Sequence, residues 1–256
     1  MVVYPNLKGI RILVTRPEGQ ARDICNTIEA LGGFPIRFPT IEIRRSKAIA
    51  TAVNLLEAKN SYNWLVFVSV NAVYFALQSC QHGVFNTPGL RIAAIGKATA
   101  LALQDYNIKV DLVPKGRFNS EALLSLPQMH QVQGKRIVIV RGEGGRGLLA
   151  ETLVKRGAIV TYAEVYKRII PAIDLQQCLR QWREGVDVVL ITSGESLTNL
   201  FTMIGDEGFE WLKNVPFVVV SPRIAEQASR VGLGKVVLAA GVSDSALLEA
   251  VVGLSR

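Results

Sequence analysis

The stretch KRIVIVRGEGGRGLLAETLVKRGAIVTYAEVYKRI, residues 135–169, decides the fold of this chain. Its β-branched run at 137–140 ends in Arg141 and a glycine-rich turn. A segment with leucines at positions 148, 149 and 153 follows, and Gly157 ends it. A second β-branched stretch then continues to Tyr166. This order predicts a strand, a turn suited to anions, a helix and a second strand.

The same pattern occurs earlier in the chain, in RILVTRPEGQARDICNTIEALGGFPIRFPTIEI at residues 11–43. Identical residues recur at a constant offset, as Arg11 and Arg136, Arg16 and Arg141, Glu18 and Glu143, and Gly32 and Gly157. Three further blocks repeat in the same order: WLVFVSVNAV resembles VVLITSGESL, RIAAIGKATA resembles PFVVVSPRIA, and NSEALL resembles SDSALL. The repeat predicts two similar lobes of about 125 residues each.

Apolar runs typical of strands alternate with helical patterns along the whole chain. We expect strands at residues 10–14, 64–68, 91–95, 110–113, 186–191, 216–220 and 235–239. This alternation indicates parallel α/β sheets. Residues 34–43 form one longer extended stretch, and Pro35 and Pro39 make it an edge or connecting strand because proline cannot donate to a strand ladder.

The lobes need not divide at the middle of the chain. Residues 34–44 and 159–169 are both long and extended, and ten such residues reach about 33 Å, enough to cross between lobes. We therefore expect one discontinuous lobe from residues 1–37 plus 168–256, and an inserted lobe at 38–167. Linker strands near 36–43 and 160–168 would then form a hinge that sets the opening of a cleft.

Composition narrows the class of partner. Lys and Arg outnumber Asp and Glu by 29 to 21, a net charge of +8, which favours anionic ligands. No block of basic residues occurs and aromatic residues are 7%, so we expect no nucleic-acid partner. No apolar run approaches the roughly 20 residues of a membrane span, and the first residues lack the order of a signal peptide. The three scattered cysteines are typical of reduced core residues, so a cytoplasmic protein is expected.

Small or polar residues follow the predicted strands repeatedly, where ligands bind in open parallel sheets. They lie at 15–16, 69–71, 96–99, 141–145, 192–194 and 221–223. Each turn alone is consistent with plain helix capping, whereas six around one cleft would supply many free N–H groups. An anion-binding cleft is the resulting hypothesis.

The glycines Gly142, Gly144 and Gly147 also satisfy the G-x-G-x-x-G dinucleotide pattern. Against NAD(P) binding, the other copy of the repeat lacks these glycines and no separate catalytic domain is visible. No P-loop, G-x-S-x-G elbow or metal-binding histidine pair occurs, so we expect no metal. Tyr166 remains as a candidate acid, although a tyrosine at a strand end is more often only packing. The other candidates are the hydroxyls of Thr99, Ser69 and Ser193.

Seven segments occur along the chain in the order ILVTRPEGQA, FPTIEI, VFVSVNAV, AAIGKATALAL, VIVRGEGGRGLLAETL, AEVYKR and LITSGESL. With these segments in this order, the chain resembles the uroporphyrinogen-III synthase family. This resemblance implies two flavodoxin-like lobes joined by a two-stranded linker, with one lobe discontinuous and the active-site cleft between them.

The resemblance also implies a reaction. The substrate would be hydroxymethylbilane, a linear tetrapyrrole with eight carboxylates, which suits the positive charge. Loss of water gives an azafulvene, the substituted carbon of ring D is attacked, and a spiro intermediate leads to uroporphyrinogen III with ring D inverted. No cofactor is implied in this step of haem, sirohaem and chlorophyll biosynthesis. A monomer with possible transient contact to the preceding pathway enzyme is expected, and a two-lobed anion sensor is the non-enzyme alternative.

By the same resemblance, Tyr166 is placed to assist hydroxyl departure. The implied substrate-binding residues are Arg16, Ser69, Gly96, Lys97, Thr99, Arg141, Gly142, Gly144, Arg146, Ser193 and Arg223. Arg16, Arg141 and Arg146 would bind carboxylates or shape their turns. Many relatives have a Thr-Thr pair after the proline of the last turn, where this chain has Arg223 and Ile224. A hydroxyl is therefore lost there, although Arg223 would still offer a cation.

Overall fold

The computed structural model describes residues 6–58, 62–116, 118–182 and 185–254. The chain divides into two compact units: unit 1 comprises Met1–Glu42 and Ile169–Arg256, and unit 2 comprises Ile43–Arg168. The first boundary lies five residues later than residue 37, where the sequence placed it. The reason is that Phe38 and Thr40 still donate backbone hydrogen bonds, at 2.9 and 3.1 Å, to Val14 and Thr15 of unit 1.

The strands and helices are numbered in chain order. They are β1 (Arg11–Val14), α1 (Glu18–Ala30), β2 (Phe34–Arg37), β3 (Glu42–Arg45), α2 (Ile49–Glu57), β4 (Trp64–Phe67), α3 (Val70–Ser79), β5 (Arg91–Ala94), α4 (Lys97–Gln104), α5 (Ser120–Leu124), α6 (Pro127–His130), β6 (Arg136–Gly142), α7 (Leu148–Lys155), β7 (Ile159–Ile169), α8 (Leu175–Trp182), β8 (Val188–Ile191), α9 (Gly194–Leu212), β9 (Phe217–Val219), α10 (Pro222–Arg230), β10 (Val236–Leu238) and α11 (Asp244–Leu254). A 3₁₀ helix lies between α3 and β5.

The sheet of unit 1 has the order β10-β9-β8-β1-β2, and all its pairs are parallel. Counted along the chain within this unit, the order is 2-1-3-4-5, which is the flavodoxin order. Alternate residues of the buried strands supply two cores, as period-2 strands must. Ile12 and Val14 pack in the core with α1 and α11, whereas Leu13 packs in the core with α8, α9 and α10.

The sheet of unit 2 has the order β3-β7-β6-β4-β5. The pairs β4–β5, β4–β6 and β6–β7 are parallel. Residues 110–113 do not form the expected strand, because only Leu112 makes a single bridge, to Ala93 of β5. With that bridge counted, the repeated segments occupy the same sheet positions in both units. The internal repeat and the two-lobed α/β fold are therefore confirmed.

The extended stretch at 34–43 is two short strands rather than one. β2 lies at the edge of the sheet of unit 1, as its proline requires, and β3 lies at the edge of the sheet of unit 2. Between them, Phe38 is buried and the Thr40 hydroxyl donates to the Thr15 carbonyl oxygen at 3.1 Å. By contrast, β7 is one continuous strand of 11 residues.

Each face of the unit 2 sheet covers its own core. Val138, Val140 and Tyr166 belong to the core with α2, α3 and α4. Ile137 and Ile139 belong to the core with α5, α6 and α7. No helix of the described ranges is long and apolar enough to cross a membrane. The cysteines are free thiols, and burial raises the pKa of Cys80 to about 11.

Candidate active site

In unit 2 the chain connections leave β4 and β6 in opposite directions, towards β5 and β7. Ligands bind outside the carboxyl ends of strands at such a switch point. Ser69 follows β4 there, and Gly142 and Glu143 end β6 and begin the glycine-rich turn. This edge is where the candidate residues of unit 2 have to be assessed.

A register shift brings Tyr166 to this edge. In the pairing of β6 with β7, Arg141 lies opposite Glu164, but Gly142 lies opposite Tyr166. One extra residue, Val165, is therefore accommodated in β7, as in a β-bulge. As a result Val165 and Tyr166 contribute to the same core cluster, although successive strand residues normally point to opposite faces.

The Tyr166 ring is fixed by close neighbours and is 3% exposed. It stacks on Phe75 with ring centroids 5.9 Å apart and an interplanar angle of 22°. A Cβ atom at Gly142 would lie 2.6 Å from ring atoms Cε2 and Cζ, so only glycine fits beside the ring. The Arg168 guanidinium carbon lies 5.9 Å from the ring centroid. The ring is thus held in one position at the strand end.

The Tyr166 hydroxyl lies 3.1 Å from Ser69 Oγ, and either oxygen can be the donor. Ser69 is the N-cap of α3, and its Oγ accepts a hydrogen bond of 3.0 Å from the Ala72 backbone N–H. The capping hydrogen bond holds the Ser69 side chain in place, and Ser69 in turn holds the Tyr166 hydroxyl. A phenol held in this way can donate a proton to a ligand oxygen while its own oxygen accepts one from Ser69.

Glu143 joins the Tyr166 strand to the start of α2. Its backbone N–H donates to the Tyr166 carbonyl oxygen at 2.7 Å. Its carboxylate Oε1 accepts from Ser46 Oγ at 2.7 Å and from the Lys47 backbone N–H at 3.3 Å. These hydrogen bonds, the one from Ser46 above all, hold the pKa of Glu143 below its ordinary value. The turn is therefore tied on both sides of Tyr166.

Arg141 points away from Tyr166. Its side chain follows the alternation of Ile137 and Ile139 and lies on the face covered by α5 and α7. There it is 9% exposed, donates from Nε to the Gly142 carbonyl oxygen at 3.0 Å, and lies over the Tyr162 ring at 4.7 Å. The hypothesis had grouped Arg141 with Tyr166, but the sheet separates their side chains.

The remaining residues of the glycine-rich turn are exposed. Gly144 and Gly145 have φ values of 71° and 92°, a region that glycine adopts without strain. At Gly145 a Cβ atom would lie 2.6 Å from Arg141 Nη2. Arg146 is 76% exposed in its side chain and lies 4.0 Å from Glu121. The turn thus folds around the Arg141 guanidinium.

The turn after β5 contains Gly96, Lys97 and Thr99. Gly96 caps α4, and a Cβ atom there would come within 3.0 Å of Phe118 Cβ. Lys97 is exposed, whereas Thr99 is 4% exposed and lies beside core residues of α4. Within the described part of the chain, no hydrogen bond joins these three residues to Tyr166 or Ser69. Their role in binding stays a prediction.

In unit 1 the corresponding turns carry the other candidates. Arg16 forms an ion pair with Asp244, with Nη1 and Oδ1 2.6 Å apart. Ser193 caps α9 by accepting from the Ser196 N–H at 3.0 Å, and its Oγ lies 2.9 Å from Ser196 Oγ. Arg223 is exposed near the start of α10. This ion pair joins the turn after β1 to the start of α11, and the role of Arg16 in binding or in shaping its turn stays a prediction.

Sequence reasoning missed several neighbours of these residues. Phe75 and Ser46 reach Tyr166 and Glu143 only through the tertiary fold, and a single sequence carries no signal for such contacts. Asp244 is different. The comparison of NSEALL with SDSALL aligns Asp244 with Ser120. An acidic residue in place of a hydroxyl was therefore the signal in the sequence that Arg16 has an ion-pair partner.

Comparison with known proteins places the chain among enzymes of tetrapyrrole synthesis. Residues 23–249 match the family model described as uroporphyrinogen-III synthase HemD. The uroporphyrinogen-III synthase of Escherichia coli K12 is 35% identical over 242 residues, covering 93% of this chain and 98% of that protein. The enzyme of Salmonella typhimurium LT2 is 36% identical over the same length and the same shares.

Solved structures show the same fold. Uroporphyrinogen-III synthetase from Helicobacter pylori 26695 has a TM-score of 0.61 at 17% identity, covering 96% of this chain and 99% of that one. A mutant uroporphyrinogen III synthase from Thermus thermophilus has a TM-score of 0.60 at 17% identity, covering 97% and 98%. At this identity the likeness shows the fold alone. The matches as a set do not favour the dinucleotide or sensor alternatives.

Proposed function

The chain belongs to the uroporphyrinogen-III synthase family of lyases, which cyclise hydroxymethylbilane, and we propose that Tyr166 assists the departure of the substrate hydroxyl. The observation that supports this role is the fixed phenol. Its hydroxyl lies 3.1 Å from Ser69, its ring stacks on Phe75, and Gly142 leaves it room. A positioned proton donor of this kind contributes roughly 10²- to 10⁴-fold to a rate.

The proposed step transfers the phenolic proton of Tyr166 to the hydroxyl oxygen of the substrate as the carbon–oxygen bond breaks. The pyrrole nitrogen supplies the electron pair, so water leaves and an azafulvene remains. The substituted carbon of ring D then attacks, and the spiro intermediate fragments and closes with ring D inverted. The proton released as the rings regain aromaticity returns to the phenolate. In the meantime a hydrogen bond from Ser69 stabilises the phenolate oxygen.

Substrate binding is the second part of the proposal. The +8 charge of the chain suits a ligand with many carboxylates. In unit 2 the proposed binding residues are Ser69, Gly96, Lys97, Thr99, Arg141, Gly142, Gly144 and Arg146. In unit 1 they are Ser193 and Arg223, with Arg16 as the residue that shapes its turn. We further propose a cytoplasmic monomer.

The test is isomer analysis of the porphyrin formed from hydroxymethylbilane. We expect type III product from the wild-type chain, and exclusively type I product would contradict the cyclising function, because the substrate also closes without inversion in the absence of enzyme. Tyr166→Phe is expected to lower turnover by roughly 10²- to 10³-fold, the lower part of the range for a positioned proton donor. Tyr74→Phe is the matched control, since Tyr74 is a neighbouring tyrosine of α3 that is 46% exposed. Equal rates for the two variants would remove Tyr166 from the mechanism.

A further inference from the structure

The side chain of Arg141 is a mostly buried cation at the end of β6. The residue is 9% exposed, and within the described part of the chain only its Nε has a hydrogen-bond acceptor, the Gly142 carbonyl oxygen at 3.0 Å. Among the residues that the structure describes, no Asp or Glu lies within ion-pair distance of it. Apart from the Tyr162 ring at 4.7 Å, the described residues offer the two Nη groups no partner, so these groups can donate to an anion in a charge-assisted pair.

The internal repeat shows which group pairs with the equivalent arginine of unit 1. Arg16 occupies the position of Arg141 in unit 1, and its Nη1 meets Asp244 Oδ1 at 2.6 Å. Asp244 is the first residue of α11, and the repeated block NSEALL/SDSALL places Ser120, the first residue of α5, in its position. Unit 1 thus supplies its own carboxylate, whereas unit 2 has a hydroxyl in the same place.

A pocket of about 130 Å³ lies where this carboxylate would be. Arg141 and Ser120 both line it, together with Tyr162, Arg146 and the apolar side chains of Val68 and Ile139. Arg146, at the rim, also lies 4.0 Å from Glu121 in an exposed and therefore weak ion pair. The volume corresponds to about four waters at roughly 30 Å³ each, enough for one short carboxylic acid side chain.

We propose that this Arg141 pocket binds one carboxylate group of an external ligand, which takes the place that Asp244 fills in unit 1. The pocket lies on the opposite face of the sheet from the Tyr166 ring, so it is distinct from the proton donor. A propionate or acetate arm of the tetrapyrrole substrate and a free small carboxylate share the required chemistry. The assignment to a substrate arm rests on the proposed function, but carboxylate binding itself does not.

The experiment measures the thermal unfolding of the full chain while sodium propionate replaces sodium chloride at constant ionic strength. For the wild-type chain we expect propionate to raise Tm by roughly 2–4 °C, because a ligand that binds only the folded state stabilises it. Ser120→Asp supplies the internal carboxylate of unit 1. It should raise Tm in chloride and abolish the response to propionate.

Two controls isolate the pocket. Ser229→Asp makes the same charge change at an exposed serine of α10 in unit 1 and should keep the full response. Asp244→Ser copies the arrangement of unit 2 into unit 1, and should lower Tm in chloride and add a second propionate response. An equal response in wild type and Ser120→Asp would overturn the proposal, as would a response that persists in Arg141→Met. The Arg141→Met variant also decides the question if Ser120→Asp does not fold.

Kinetics distinguish the two sources of the carboxylate. If a substrate arm occupies the pocket, Ser120→Asp should raise KM for hydroxymethylbilane at least about tenfold, since a charge-assisted pair to arginine is lost. If KM is unchanged while the propionate response is abolished, the pocket binds a free small carboxylate. The thermal measurement requires no turnover, so failure of the proposed function and failure of the pocket are separate results.

Discussion

Replacing Gly142 with alanine should destabilise unit 2 through one contact, with the Tyr166 ring. The new Cβ atom would lie 2.6 Å from two ring carbons, which is closer than packed carbon atoms approach. The ring is also held by Phe75 and by Ser69, so it cannot shift without losing one of these contacts. We expect a cost of roughly 1–3 kcal/mol, the range for an extra methyl group in a packed core.

A double-mutant cycle with Tyr166→Ala tests this reasoning. With the ring removed, the added methyl group has space, and Gly142→Ala should cost roughly 0.5 kcal/mol or less. The measurement is amide hydrogen exchange of the slowest amides in β6, which reports the opening of unit 2 itself. Gly144→Ala is the contrast, because beyond its chain neighbours no atom of the described residues lies within 4 Å of its Cβ position, and its φ of 71° is what opposes alanine. If Gly142→Ala costs the same in both backgrounds, the ring contact is not the cause.

Two further predictions follow from single contacts. The pKa of Glu143 is lowered in the folded state, so its ionised carboxylate, which accepts from Ser46, stabilises the fold at pH values above the ordinary pKa of 4.5. This stabilisation is lost as the pH falls through the lowered pKa. Glu143→Gln should remove that pH dependence, and exchange of the Lys47 amide between about pH 3 and 6 measures it; an unchanged profile would contradict the assignment. Ser193→Ala removes the α9 cap and should cost about 1 kcal/mol in urea unfolding. A cost near zero would show that the Ser196 hydroxyl replaces it.

The sequence predicts the sheets better than the position of Tyr166, and the reason is physical. The β-branched runs and the repeat are sufficient to predict the positions of most strands, because both depend on the local pattern of residues. The face of Arg141 was also predictable, since it continues the alternation of Ile137 and Ile139. The face of Tyr166 was not, because the extra residue between Glu164 and Tyr166 reverses the alternation in β7, and a register shift depends on the partner strand. The strand expected at residues 110–113 does not form, because at the edge of the sheet only Leu112 makes a bridge to the neighbouring strand.

Comparison of the two units indicates where function was added to a common scaffold. Each unit caps the helix after the equivalent strand with a serine, but Ser193 Oγ meets Ser196 whereas Ser69 Oγ meets Tyr166. At the constant offset of the repeat, Tyr166 corresponds to Ile41, which is buried, so unit 1 has no phenol at this place.

The arginine of the turn shows the same divergence. Its partner is an internal carboxylate, Asp244, in unit 1 and a pocket in unit 2. In unit 2 the serine cap meets a phenol and the arginine lines a pocket, where unit 1 has contacts to Ser196 and Asp244. Since the sheet order is shared, these side chains and not the fold make unit 2 the part of the chain where chemistry is expected.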